Sequence, residues 1–114
     1  MIIKIGCDIV KIKRFSNLSI TSLNRIFHKS ELKNTKPESL AGIFTAKESC
    51  KKIFNNLKWH DIEIKKQKNG KPVLLLNLNK NNQNIQNILS HDISISHDGG
   101  YAIAIVIFLL ENKK

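Results

Sequence analysis

The stretch Thr35-Lys36-Pro37-Glu38-Ser39-Leu40-Ala41-Gly42-Ile43-Phe44-Thr45-Ala46-Lys47-Glu48-Ser49-Cys50-Lys51-Lys52-Ile53-Phe54 carries the clearest structural signal in the chain. Thr35 is a good N-cap residue, Glu38 stands at the capping-box position, and Pro37 falls in the first turn, where its missing N–H is tolerated. Asn55-Asn56 supplies the stop. At about 100° per residue, Leu40, Ile43, Ala46, Cys50, Ile53 and Phe54 form one apolar stripe. The pattern predicts a long helix ending near Phe54, with Glu48 and Lys52 together beside the stripe, one turn apart.

Working outward, Ile3 and Ile5 alternate with Lys4 as in a half-buried strand, which Gly6 ends, leaving Asp8 at its C-terminal end. Over 10–18, Ile12 and Phe15 sit among Lys11, Lys13 and Arg14, as on a short amphipathic helix with one basic face. A second short helical pattern covers Leu23, Ile26 and Phe27, flanked by Arg25, His28 and Lys29. Beyond the long helix, 61–66 alternates as a strand, Asn69-Gly70 marks a tight hairpin turn, and 72–76 returns. The Asn-rich stretch 77–87 reads as a loop leading into a short helix at 85–89. Ile93 and Ile95 begin another strand, Asp98-Gly99-Gly100 turns the chain, and 101–110 is the last strand. The expected fold is α+β in a single domain over 1–114, with one long helix packed on a mainly antiparallel sheet.

At 114 residues the chain can bury one modest core. No apolar run is long enough to span a bilayer, and the N-terminus lacks a signal-peptide pattern, so a cytoplasmic location without membrane association is expected. Cys7 and Cys50 lie far apart without C-x-x-C spacing and read as buried small hydrophobes. The net charge of +10 predicts attraction to nucleic acid, a phosphorylated ligand or an acidic protein. All the basic residues except Arg14 and Arg25 are lysine, so compositional bias competes with that reading.

Three places can carry chemistry. Asp8 is either a ligand group at a strand end or the cap of a following helix. Glu48 and Lys52 are either a plain helix ion pair or a shared phosphate site, with the carboxylate on a metal and the lysine on phosphate oxygens. His97, beside Ser96 at a strand end, can bind phosphate, donate a proton or cap the turn. No second His or Cys stands near it at zinc-ligand spacing.

Several segments, in order, resemble the holo-acyl-carrier-protein synthase family of phosphopantetheinyl transferases. They are Ile5-Gly6-Cys7-Asp8-Ile9-Val10 with Arg14-Phe15, Phe27 to Leu32 including Ser30-Glu31-Leu32, Leu40-Ala41-Gly42-Ile43-Phe44-Thr45-Ala46-Lys47-Glu48 with Lys52, Asp61-Ile62-Glu63-Ile64 with Asn69-Gly70-Lys71-Pro72, and Ser94-Ile95-Ser96-His97 with Tyr101-Ala102-Ile103-Ala104. Each piece is weak alone; the ordered set spans nearly the whole chain. The resemblance implies a magnesium-dependent enzyme that moves 4′-phosphopantetheine from coenzyme A to a serine of apo-acyl carrier protein. It implies that Asp8 and Glu48 hold the Mg2+ against the pyrophosphate, that Lys52 lies near the phosphates, and that Ser96 and His97 serve the coenzyme end. It further implies a homotrimer with sites between subunits. The acidic carrier protein would dock on the basic first segment, here Lys11, Lys13, Arg14 and Arg25. Attack on a pyrophosphate phosphorus needs alignment and charge neutralisation, and Glu48 acting through a metal-held water is the preferred base. One departure is the short, glycine-free connection from Ile53 to His60, where the family often has a longer glycine-containing loop. The rival class is a basic nucleic-acid-binding module; no strand interleaves basic and aromatic residues for base stacking.

Overall fold

The computed structural model describes residues 1–77 and 87–112. Two α-helices are present among them, α1 (Ile20–Ile26) and α2 (Pro37–Ile53), the second of 17 residues and the first of 7. Five strands follow the chain as β1 (Ile2–Lys11), β2 (Ile62–Lys66), β3 (Pro72–Leu76), β4 (Ile88–Asp98) and β5 (Tyr101–Leu110). Short 3-10 turns at Ile12–Phe15, Glu31–Lys33 and Trp59–Asp61 join them. The strands form an antiparallel sheet of order β1-β5-β4 and a separate β2-β3 hairpin. The α+β class with antiparallel pairing is as the sequence predicts; the pairing is split between two sheets, and a short helix accompanies the long one.

α2 starts one residue later than the capping pattern suggests. Lys36 is the N-cap, with extended backbone and no side-chain bond. Pro37 explains the shift: fixed at the first helical position, it makes its predecessor the cap. Lys36 N–H donates instead to Asn34 Oδ1 at 3.0 Å. For α1, Ser19 is the cap, its Oγ accepting from Ser22 N–H at 3.1 Å.

β1 does not stop at Gly6. It pairs with β5 continuously, from Ile2 opposite Leu110 to Lys11 opposite Tyr101. A Cβ at Gly6 would lie 2.1 Å from the Ser49 carbonyl oxygen, so the glycine marks a close approach of α2 to the strand. Asp8 therefore sits within the strand, opposite Ala104, and caps no helix. Because β1 consumes Val10 and Lys11, the amphipathic helix expected over 10–18 shrinks to the turn Ile12–Phe15. The alternation of Ile3 and Ile5 has the right period but marks the outer face: they are 66% and 67% exposed, while Gly6 and Val10 turn inward and are buried. Cys7 shares that outer face and is exposed, contrary to expectation, whereas Cys50 is buried.

α2 packs across β1 and β5. Leu40, Ala41, Ala46 and Cys50 meet Val10, Ala102, Ala104, Val106 and Phe108 in the core. Phe15 and Phe27, from the segment between β1 and α2, close its other side, so burial extends around the helix beyond one stripe. Ile88 and Leu89 belong to β4, so the helix expected at 85–89 is not formed there; 85 and 86 lie outside the described residues, as does most of the 77–87 loop.

Candidate active site

The close approach at Gly6 brings the inward face of β1 against one face of α2, on which Thr45, Glu48, Ser49 and Lys52 follow at helical spacing. Asp8 enters this seam with its side chain 16% exposed. Its Oδ2 accepts from Thr45 Oγ1 at 2.8 Å. Its Oδ1 receives Lys52 Nζ at 3.1 Å, and the same ammonium donates to the Cys7 carbonyl at 2.9 Å. Glu48, half-buried on the intervening turn, pairs with Lys51 at 3.7 Å and not with Lys52. The plain Glu48–Lys52 helix pair is thus replaced by Lys52 bridging to β1. Lys51 in turn lies 3.7 Å from the centre of the Trp59 ring, which stacks on Phe44. Arg14 covers the Phe44 ring from its other neighbour, 5.3 Å from the centroid.

Asp8 and Glu48 are two carboxylates on facing elements, each paired with a lysine, Lys52 and Lys51 respectively. No cluster of three or more His, Cys, Asp or Glu side chains occurs among the described residues. Magnesium takes one or two protein carboxylates and completes its shell with water and phosphate oxygens, so Asp8 and Glu48 are the residues that would suit such an ion.

His97 lies on β4, opposite Ala102, while Asp8 lies on β1; β5 runs between the two strands. Within one chain, β5 thus separates the strand of His97 from that of Asp8. His97 Nε2 hydrogen-bonds the Glu38 carbonyl at 2.8 Å, near the start of α2. A Cβ on Gly42 would stand 3.2 Å from the same nitrogen, so that glycine gives the imidazole its place. His97 lines a cleft of about 190 Å³ with Gly42, Ile43, Lys66, Pro72 and Ile95. An adjoining cleft sharing Ile43 and Lys66 extends it into a trough and adds Lys33 and Lys65, while Glu38 lines the first cleft and Glu31, paired with Lys47, the second. Ser96, exposed, alternates with His97 and belongs to the opposite face of the sheet. Lys11, Lys13, Arg14 and Arg25 are all exposed, at the end of β1, in the following turn and in the last turn of α1.

A second charged cluster went unnoticed in the sequence. Lys47 and Glu31 form an ion pair at 2.6 Å with both side chains fully buried. Lys47 Nζ also donates to the carbonyls of Ile26 at 2.8 Å and Trp59 at 3.3 Å. Glu31 accepts from the N–H groups of His28 at 2.7 Å and Ile64 at 2.8 Å. Burial pushes the Lys47 ammonium below its ordinary pKa, and Glu31 opposes that push. The cluster ties α1, α2 and β2 together. The available signal was helical phase: Lys47 continues the apolar line of Leu40 and Phe44.

The chain belongs to the 4′-phosphopantetheinyl transferase superfamily, whose sequence model matches residues 4–106. More particularly, it is similar to the holo-[acyl-carrier-protein] synthase of Nautilia profundicola, at 40% identity over 116 residues covering 92% of this chain and 98% of that one. The enzyme of the same name from Campylobacter fetus is 41% identical over 116 residues, with coverages of 90% and 96%. The crystal structure of Helicobacter pylori holo-[acyl-carrier-protein] synthase in complex with coenzyme A matches with a TM-score of 0.79 at 36% identity, covering 93% of this chain and 100% of that chain.

Proposed function

We propose that the protein transfers 4′-phosphopantetheine from coenzyme A to a serine of apo-acyl carrier protein, yielding holo-acyl carrier protein and adenosine 3′,5′-bisphosphate, in fatty acid biosynthesis. The observation that carries this reading is the near-full-length likeness to a holo-[acyl-carrier-protein] synthase whose structure contains coenzyme A. Asp8 and Glu48 are the residues that would hold magnesium; bound there, the ion supplies Lewis-acid stabilisation of the pyrophosphate charge. Lys52, anchored on Asp8 and the Cys7 carbonyl, adds a fixed positive charge at the same edge of α2. Glu48, through a water, takes the serine proton. His97 and the lysines of the adjoining trough hold the phosphorylated adenosine end of coenzyme A; Ser96, on the opposite face of β4, lies outside that trough.

The separation of His97 from Asp8 by β5 supports a homotrimer in which the trough of one subunit faces the carboxylates of the next. Ile3, Ile5, Ile9, Ile105 and Ile107 form an exposed apolar face on the outer side of β1 and β5, the kind of surface an assembled state covers. Lys11, Lys13, Arg14 and Arg25 present a basic face to an acidic carrier protein, raising the association rate in a salt-dependent way. The chain acts in the cytoplasm as a single domain; among the described residues no helix is long and apolar enough to cross a membrane. The nucleic-acid-binding alternative gains no support, since Phe15, Phe27, Phe44 and Phe108 are core residues.

The test is release of adenosine 3′,5′-bisphosphate, followed by chromatography. Release that requires coenzyme A, magnesium and apo-carrier together is expected; its absence with folded protein and several carriers contradicts the assignment.

A further inference from the structure

Thr45 is fully buried, on the turn of α2 that precedes Glu48. A threonine hydroxyl within a helix commonly bonds the carbonyl three or four residues back. Thr45 instead reaches across the seam to Asp8 Oδ2 at 2.8 Å. The carbonyl of Thr45 is held separately, accepting from Ser49 Oγ at 2.8 Å, and Ser49 Oγ also reaches the Ala104 carbonyl at 3.2 Å. Ser49 is the residue whose carbonyl would collide with a Cβ on Gly6. Helix and strand are therefore in contact at this level, and the Thr45–Asp8 bond is a rigid link between them.

That link has a consequence for the carboxylate. An aspartate on a strand can turn about its last torsion; with Oδ2 tied to Thr45, one orientation is selected. In it Oδ2 is held by the Thr45 hydroxyl and Oδ1 is turned toward Lys52, accepting from its ammonium at 3.1 Å. Groups that orient a ligating carboxylate commonly change metal affinity by about 10- to 100-fold when removed. We propose that Thr45 is a positioning residue: its hydroxyl sets the Asp8 carboxylate in the orientation that serves a divalent cation shared with Glu48. This rests on the metal-site reading given above.

The test reads metal binding without turnover. Mn2+ is titrated into the protein with coenzyme A present and carrier protein absent, and free Mn2+ is followed by electron paramagnetic resonance. Thr45→Val keeps the shape and removes the donor, and is expected to weaken Mn2+ by about 10-fold or more. Thr45→Ser keeps the donor and is expected to remain within about 3-fold of the parent, well below the loss typical of a removed orienting bond. Thermal unfolding shows that each variant is folded; if Thr45→Val is not, Thr45→Ala carries the same comparison. Parent-like Mn2+ binding by Thr45→Val, with binding lost in Asp8→Ala, overturns the role of Thr45 and leaves the metal site standing. Equal weakening by Thr45→Ser and Thr45→Val also overturns it, because the hydroxyl is then not what matters. Parent-like binding by Asp8→Ala removes the metal site and the proposal together.

Discussion

Lys47 enters the core within hydrogen-bonding reach of Glu31 and two carbonyls, and each of its three protons has an acceptor. Removing one partner from such a pair leaves the other charge buried and unpaired, a loss of about 3–5 kcal/mol. Denaturant unfolding of Lys47→Ala and Glu31→Ala is expected to show that loss in each; a change near zero would mean that the pair is not closed as described. Cys50 gives a second prediction at this scale. Burial pushes its thiol up to about 12 from an ordinary 9.0. The folded state then holds this proton while the unfolded state releases it, so its contribution to stability is fully present below about pH 9 and is lost as pH rises toward 12. Unfolding of Cys50→Ala is expected to fall less steeply over that interval, whereas parallel pH profiles would contradict the assignment. Asp8, Glu48 and Lys52 stood out singly, by residue type and by place in the predicted elements; joining Asp8 to Glu48, forty residues away, took the family resemblance. Thr45 and Glu31 did not, because their importance lies in partners 37 and 16 residues away.

Among the elements, α2 was the most legible, because period, proline and stop signal agree; only its cap was misplaced, by one residue. β1 was the least legible. Gly6 looks like a terminator in one dimension, and only the approach of α2 in three dimensions shows that it is a strand residue whose missing side chain makes room. Gly6→Ala would place a methyl carbon 2.1 Å from a backbone oxygen, where no flexible side chain can yield. A destabilisation of at least about 1–3 kcal/mol is expected from such overpacking. Phosphopantetheine transfer should fall as well, since α2 carries Glu48 and Lys52 away from Asp8. A Gly6→Ala protein as stable and active as the parent would show that the helix is not seated as described. The Asn69-Gly70 turn was read correctly for a local reason: Gly70 has φ +86, and Gly70 N–H donates to the Gln67 carbonyl at 2.8 Å within the β2-β3 connection.

On the scale of the molecule, the outer face of β1 and β5 explains why the apolar alternation near the N-terminus misled. Ile3 and Ile5 obey the period of a buried face, and in the isolated chain that face is bare. In the proposed homotrimer, sister subunits would cover that face, and the conflict would be resolved. Ile5 and Ile107 are cross-strand partners at its centre, so Ile5→Lys with Ile107→Lys places two charges on it. The parent is expected to sediment as a trimer and the double variant as a monomer without transferase activity; an unchanged trimer would place the interface elsewhere. The most direct test of the central claim is the intact mass of an apo-acyl carrier protein after incubation with coenzyme A, magnesium and the protein, beside Asp8→Ala and Glu48→Ala. The expected result is a gain of one phosphopantetheine group on the carrier with the parent and none with either folded variant. No gain with the parent, or an undiminished gain with the variants, contradicts the account.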